Sequence, residues 1–221
     1  MISNAIDPYM LLARALALII VIPVHEASHA LVAYWLGDST ARNMGRLSLN
    51  PIRHFDLMGS ISLLIIGIGC AKPVPIDARN FKNPRAGMAI SAAAGPVSNL
   101  LLAFIAMVLM KLMLFSGFGQ SSAAASYAYQ IVEYICILNI ALGIFNMMPF
   151  PPFDGSRIYS AFLPEKLYFG VMRYERYVFF AVLALLVFGV LDAPLQYLNS
   201  AVFNGLNFLT GWINLLFQLA R

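Results

Sequence analysis

A chain of 221 residues that is 61% hydrophobic and only 11% charged is too apolar for a soluble domain, in which about 25% of residues are charged. Its net charge of +4 does not point to nucleic acid, because the basic residues gather in a few loops between apolar runs and no basic-aromatic pattern appears. The composition predicts one domain, residues 1–221, embedded in a lipid bilayer.

After a short leader, residues 1–9, the first apolar run covers residues 10–35, long enough to cross a bilayer as a helix. Inside it lies His25-Glu26-Ala27-Ser28-His29. Histidines four apart share one helix face and can share a metal. Glu26 between them is placed to take a proton from water at that metal. A hydrogen-bonded histidine pair between packed helices explains polar groups here but not their spacing. Ionisable groups are expensive inside a membrane and by default mark a function. Pro23 precedes the motif and bends the helix or frees a carbonyl. No cleavable leader is expected, because removing this run removes both histidines.

Residues 39–56 are polar and basic, with Arg42, Arg46 and Arg53, and contain His54, read as a structural loop histidine. Residues 57–71 are apolar but span only about 22 Å as a helix, against about 30 Å of hydrocarbon. Basic loops flank this run on both sides, with Lys72, Arg79, Lys82 and Arg85 following it. A crossing would put one of those loops on the wrong face. Its glycines and isoleucines suit strands, so the segment is predicted to be a re-entrant β-hairpin.

Residues 88–115 form a long span whose first half holds Ser91-Ala92-Ala93-Ala94-Gly95-Pro96 and Asn99, a stretch suited to close packing and a kink. Lys111 can snorkel to the interface, and residues 116–126 form an uncharged outer loop. Residues 127–149 make the next span. It ends in Asn146-Met147-Met148-Pro149-Phe150-Pro151-Pro152-Phe153-Asp154-Gly155, a carboxylate just beyond a helix broken by prolines. Residues 157–176 are a mixed-charge loop, residues 177–191 another span, and residues 195–220 either a last span or an interfacial helix. The fold class expected is therefore an all-α polytopic membrane protein, with about five to six transmembrane helices and the hairpin. Cys70 and Cys136 lie in apolar stretches without CxxC spacing and read as reduced core residues.

Catalytic zinc takes three protein ligands and keeps a position open for water. With two histidines from the first helix, the third ligand is open among His54, Glu133, Asp154, Glu165 and Glu175. The charge pattern puts the end of the first helix and the Asp154 turn on one side of the membrane.

Three stretches in order, His25–His29, Gly95-Pro96-Val97-Ser98-Asn99 and Asn146 to Gly155, resemble the site-2 protease family of M50 intramembrane zinc metalloproteases. Gly45 to Pro51 and Ala71-Lys72-Pro73-Val74-Pro75 resemble its short bacterial members without a PDZ domain. The resemblance implies one zinc ion on His25, His29 and Asp154, Glu26 as general base, and Asn146 holding the substrate backbone. Two positions depart from the family pattern: Phe153 replaces the usual leucine, and Ser156 the second glycine. It further implies cleavage within or near the transmembrane segments of single-span membrane proteins. The expected location is the cell membrane of a bacterium, multi-pass, with the site towards the cytoplasm. One alternative is a metalloprotease using Glu165 or Glu175 as its third ligand. Another is an inactive scaffold or transporter of the same fold, against which the intact His25, Glu26, His29 and Asp154 argue.

Overall fold

The structure is a computed structural model that describes residues 8–56, 72–164 and 174–219. Three long helices build its centre: α1 (Pro8–Trp35), α2 (Pro84–Phe115) and α3 (Ala123–Asn146). Gly37 ends α1 by taking φ to +111°, a conformation that L side chains resist. The helix α2 starts at Pro84, ahead of its apolar onset, because the Asn83 side chain caps the Ala86 N–H and Pro84 sits where no N–H is needed. Ser122 caps α3 in the same way, through the Ala125 N–H.

Four shorter helices follow: α4 (Asp154–Ser160), α5 (Glu175–Val187), α6 (Asp192–Leu209) and α7 (Gly211–Leu219). The core between α2, α3 and α6 contains Ala103, Ala106, Met107, Met110, Cys136, Ile140 and Leu206. Along α2 a buried stripe of Gly87, Ser91, Gly95, Asn99 and Ala103 recurs every fourth residue. Residues at that spacing stack on one face, and small ones let neighbouring helices come close. On the other side of α2, Leu101, Ile105, Leu109 and Leu112 are exposed, as lipid-facing residues are.

The expected architecture needs correcting. Among the described residues three helices are long and apolar enough to cross a membrane: Ala15–Trp35, Pro84–Phe115 and Ala123–Asn146. A fourth crossing is possible only if Arg176–Val187 and Asp192–Gln218 act together as one broken span, bent by 84°. The described residues thus hold three to four spans, not five to six. The helix α5 has 13 residues, about 20 Å, and Gly189 at φ +71° breaks the chain just after it. No strand occurs among the described residues, so their architecture is all-helical. The stretch assigned to that hairpin, residues 57–71, lies outside the described residues. Its two flanks meet, since the Lys72 N–H donates to the His54 carbonyl at 2.9 Å.

Lys111 is buried, and its ammonium donates to the Asn207 carbonyl of α6 at 3.0 Å. A carbonyl in the last turn of a helix is a good partner for a cation.

Candidate metal centre

The helix α1 sets His25 and His29 one turn apart on its buried face, with ring centroids 4.7 Å apart and planes nearly perpendicular. The proline-rich turn after α3 brings Asp154, the first residue of α4, against both. Asp154 Oδ2 lies 3.2 Å from His25 Nε2 and 3.3 Å from His29 Nε2, and the two Nε2 atoms are 3.1 Å apart.

The His29 Nδ1 is 2.7 Å from the Ser91 carbonyl of α2. A carbonyl can only accept, so Nδ1 carries the proton and Nε2 turns a lone pair towards Asp154. Asp154 Oδ2 is buried without a hydrogen-bond partner. Lone pairs converging in a buried space repel one another unless a cation sits among them. Bond lengths of about 2.0–2.1 Å around a tetrahedral zinc give ligand-to-ligand edges of about 3.3–3.4 Å. The three observed edges, 3.1, 3.2 and 3.3 Å, come within about 0.3 Å of that triangle. These residues fit a zinc ion.

Gly95 of α2 makes room for this triangle. A Cβ there would sit 2.5 Å from His25 Cε1 and 2.6 Å from His29 Cε1, against ordinary contacts of 3.4 Å and more. Gly155 plays a similar part beneath Asp154, because a Cβ would fall on the Met147 and Met148 carbonyl oxygens. The loop from α3 to α4 therefore folds tightly onto itself, which is what carries Asp154 inwards.

Glu26 is buried beside the triangle. Its Oε2 accepts a hydrogen bond from the Val74 N–H at 3.1 Å. Arg46, also buried, donates to the Lys72 carbonyl. Burial pulls its guanidinium below the ordinary value, and the nearby negative charge of Glu26 raises it.

Among the described residues the histidine, cysteine and carboxylate groups converge at one place, His25, His29 and Asp154. His54 is elsewhere, fully buried with its Nε2 on the Ser48 carbonyl at 2.6 Å. Glu133 lies along α3 near Tyr129 and Cys136. Glu165 is outside the described residues. Asn146 is the last residue of α3 and half-buried. Sequence reasoning passed over the Ser91 carbonyl and the Val74 N–H, because backbone partners leave no signature in side-chain identity. Gly95 was legible only as a small residue for packing.

Comparison with known proteins gives the chain a family. The model of peptidase family M50 matches residues 13–189. A Bacillus subtilis (strain 168) protein named "Putative zinc metalloprotease YwhC" is 41% identical over 180 residues, 81% of this chain and 80% of the relative. A Mycolicibacterium smegmatis protein named "Putative zinc metalloprotease Rip2" is 26% identical over 147 residues, 64% of this chain and 52% of the relative. No solved structure matches the chain.

Proposed function

The chain belongs to peptidase family M50, and from that premise we propose that it is a site-2-type protease, a zinc endopeptidase that hydrolyses peptide bonds within or near the transmembrane segments of single-span membrane proteins. The observation that carries this reading is the buried triangle of His25, His29 and Asp154, with Glu26 beside it, on a helix apolar enough to cross a membrane. His29 and His25 sit about 9 and 15 Å from the end of α1 at Trp35, deep enough for a substrate helix in the bilayer to reach them sideways.

In this reading His25, His29 and Asp154 hold the zinc, which supplies Lewis acidity to water and to the scissile carbonyl. Glu26 has one carboxylate oxygen tied to the Val74 N–H, leaving Oε1 to accept the proton from the attacking water. The same oxygen then returns that proton to the leaving amine as the peptide bond breaks. His29 keeps its orientation through Ser91, so its ring cannot swing as charge builds up. Asn146 offers an amide that both donates and accepts, suited to a substrate backbone drawn out of its helix. The basic loops at residues 39–56 and 72–87 put the Asp154 end of the bundle towards the cytoplasm.

The test uses wild type and Glu26→Gln purified in detergent, with a panel of single-span substrates and cut sites mapped by mass spectrometry. Wild type should cut within or beside the membrane segment, while Glu26→Gln should bind zinc and not cut. Equal cleavage by the two proteins would refute the reading.

A further inference from the structure

Residues 72–77 run as an extended segment without helix or strand from the flank of the His54 loop to the end of α1. Four ties hold this strap, the first being the Lys72 N–H on the His54 carbonyl at 2.9 Å. At one end the Arg46 guanidinium donates to the Lys72 carbonyl. At the other the Asp77 N–H donates to Asp38 Oδ2 at 2.8 Å. Between them Val74 donates its N–H to Glu26 Oε2, and its side chain packs against Ala30 and Ala41.

Asp38 is fully buried. Its Oδ1 accepts from the Thr40 N–H at 3.0 Å, the Thr40 hydroxyl at 2.5 Å and the Asn80 amide at 2.7 Å. Those bonds hold the Asp38 carboxyl below its ordinary value although burial alone would raise it. A buried carboxylate with four donors is a rigid anchor. Arg46 anchors the other end with a buried, always charged fork. Prolines flank Val74 on both sides, at 73 and 75. Proline lacks an N–H and fixes its φ, so Pro73-Val74-Pro75 is a stiff piece of backbone with a single donor. That donor is spent on Glu26.

From this arrangement we infer that the strap 72–77 is a positioning device for Glu26, and that Arg46 and Asp38 are positioning residues which hold Val74 N–H on Glu26 Oε2 so that Oε1 faces the attacking water. The inference rests on the reading of Glu26 as general base. A proton acceptor displaced by an ångström costs up to about a hundredfold in rate, while binding of the substrate chain is untouched. The effect of loosening the strap therefore falls on kcat.

The experiment measures zinc content, kcat and KM on one single-span substrate for wild type, Arg46→Met, Arg46→Lys, Asn80→Ala and Glu26→Gln. Arg46→Met should keep its zinc, hold KM within about twofold and lose about tenfold or more in kcat. Arg46→Lys, which can still donate to the Lys72 carbonyl, should recover part of that loss. Asn80→Ala, a change at an exposed residue, should lower kcat by less and leave KM alone. Should Arg46→Met fail to fold, Arg46→Lys and Asn80→Ala decide the matter by the same split between kcat and KM. Wild-type kcat in folded variants, a change confined to KM, or loss of zinc would each overturn the inference. Cleavage by Glu26→Gln at the wild-type rate would instead overturn the reading of Glu26 itself.

Discussion

Substituting alanine for Gly95 adds one methyl group at the point where α2 meets the two histidines. In the present backbone that carbon would lie 2.5 Å from His25 Cε1 and 2.6 Å from His29 Cε1. Ordinary contact begins at 3.4 Å, so ring and methyl must part by about 0.8–0.9 Å. The methyl belongs to a helix interior locked by its own hydrogen bonds, so the histidine rings are what move. Zinc ligands hold their places only to about ±0.2 Å, several times less than the required shift. His29 is also restrained by its bond to the Ser91 carbonyl on the same helix, so it cannot follow the metal elsewhere. Gly95→Ala should thus lower zinc affinity by about a hundredfold or more, at least as much as losing a group that orients a ligand. Overpacking should also cost about 1–3 kcal/mol of stability, partly offset by the better helix propensity of alanine. Competition with a zinc-buffering chelator measures the affinity, and circular dichroism in detergent verifies the helix content. A folded Gly95→Ala protein with wild-type zinc affinity would refute the packing argument.

Alanine at His25, His29 or Asp154 should each lower zinc occupancy, since every one of them removes a metal bond, whereas Glu26→Gln should retain zinc and lose turnover; metal analysis alongside activity separates the two behaviours. Gly155→Ala should weaken zinc binding although residue 155 touches no metal, because the new carbon falls on the Met147 and Met148 carbonyls and pushes Asp154 outwards; normal zinc in the folded variant would speak against it. Single cysteines at Asn43 and Lys82, both exposed, in a background lacking Cys70 and Cys136, should react with an impermeant reagent from the same side of the membrane. They flank the Asp38–Asn80 hydrogen bond, so labelling from opposite sides would contradict both the fold and the cytoplasmic assignment. Asn146→Ala should leave zinc bound and weaken cleavage; wild-type cleavage would leave Asn146 a structural role only.

The metal centre was legible because its chemistry is written in side chains. Two histidines four apart on a helix with a glutamate between them pointed to a metal, while the third ligand stayed open among five residues until the family resemblance singled out Asp154. Close packing of Ser91 to Asn99 was legible too, because small residues at fourfold spacing have few other uses in an apolar helix. What held the site in register was less so. The Ser91 carbonyl and the Val74 N–H belong to backbone that any sequence carries, and only the flanking prolines hint that Val74 is the single donor there. The span count failed at the C-terminal third, where hydropathy sees two apolar runs parted at Asp192-Ala193-Pro194 but not the earlier break at Gly189. Asparagines at 199, 204 and 207 leave α6 amphipathic, with little room for a full crossing.

X-ray absorption at the zinc edge bears most directly on the claim that His25, His29 and Asp154 form one metal site. Wild type in detergent should show one zinc per chain bound by two imidazoles and oxygen at about 2.0–2.1 Å. Glu26→Gln should give the same spectrum, and Asp154→Ala should lose most of its zinc and change the coordination of the remainder. Full zinc with an unchanged spectrum in Asp154→Ala, or a sulfur ligand at about 2.3 Å in wild type, would contradict the account.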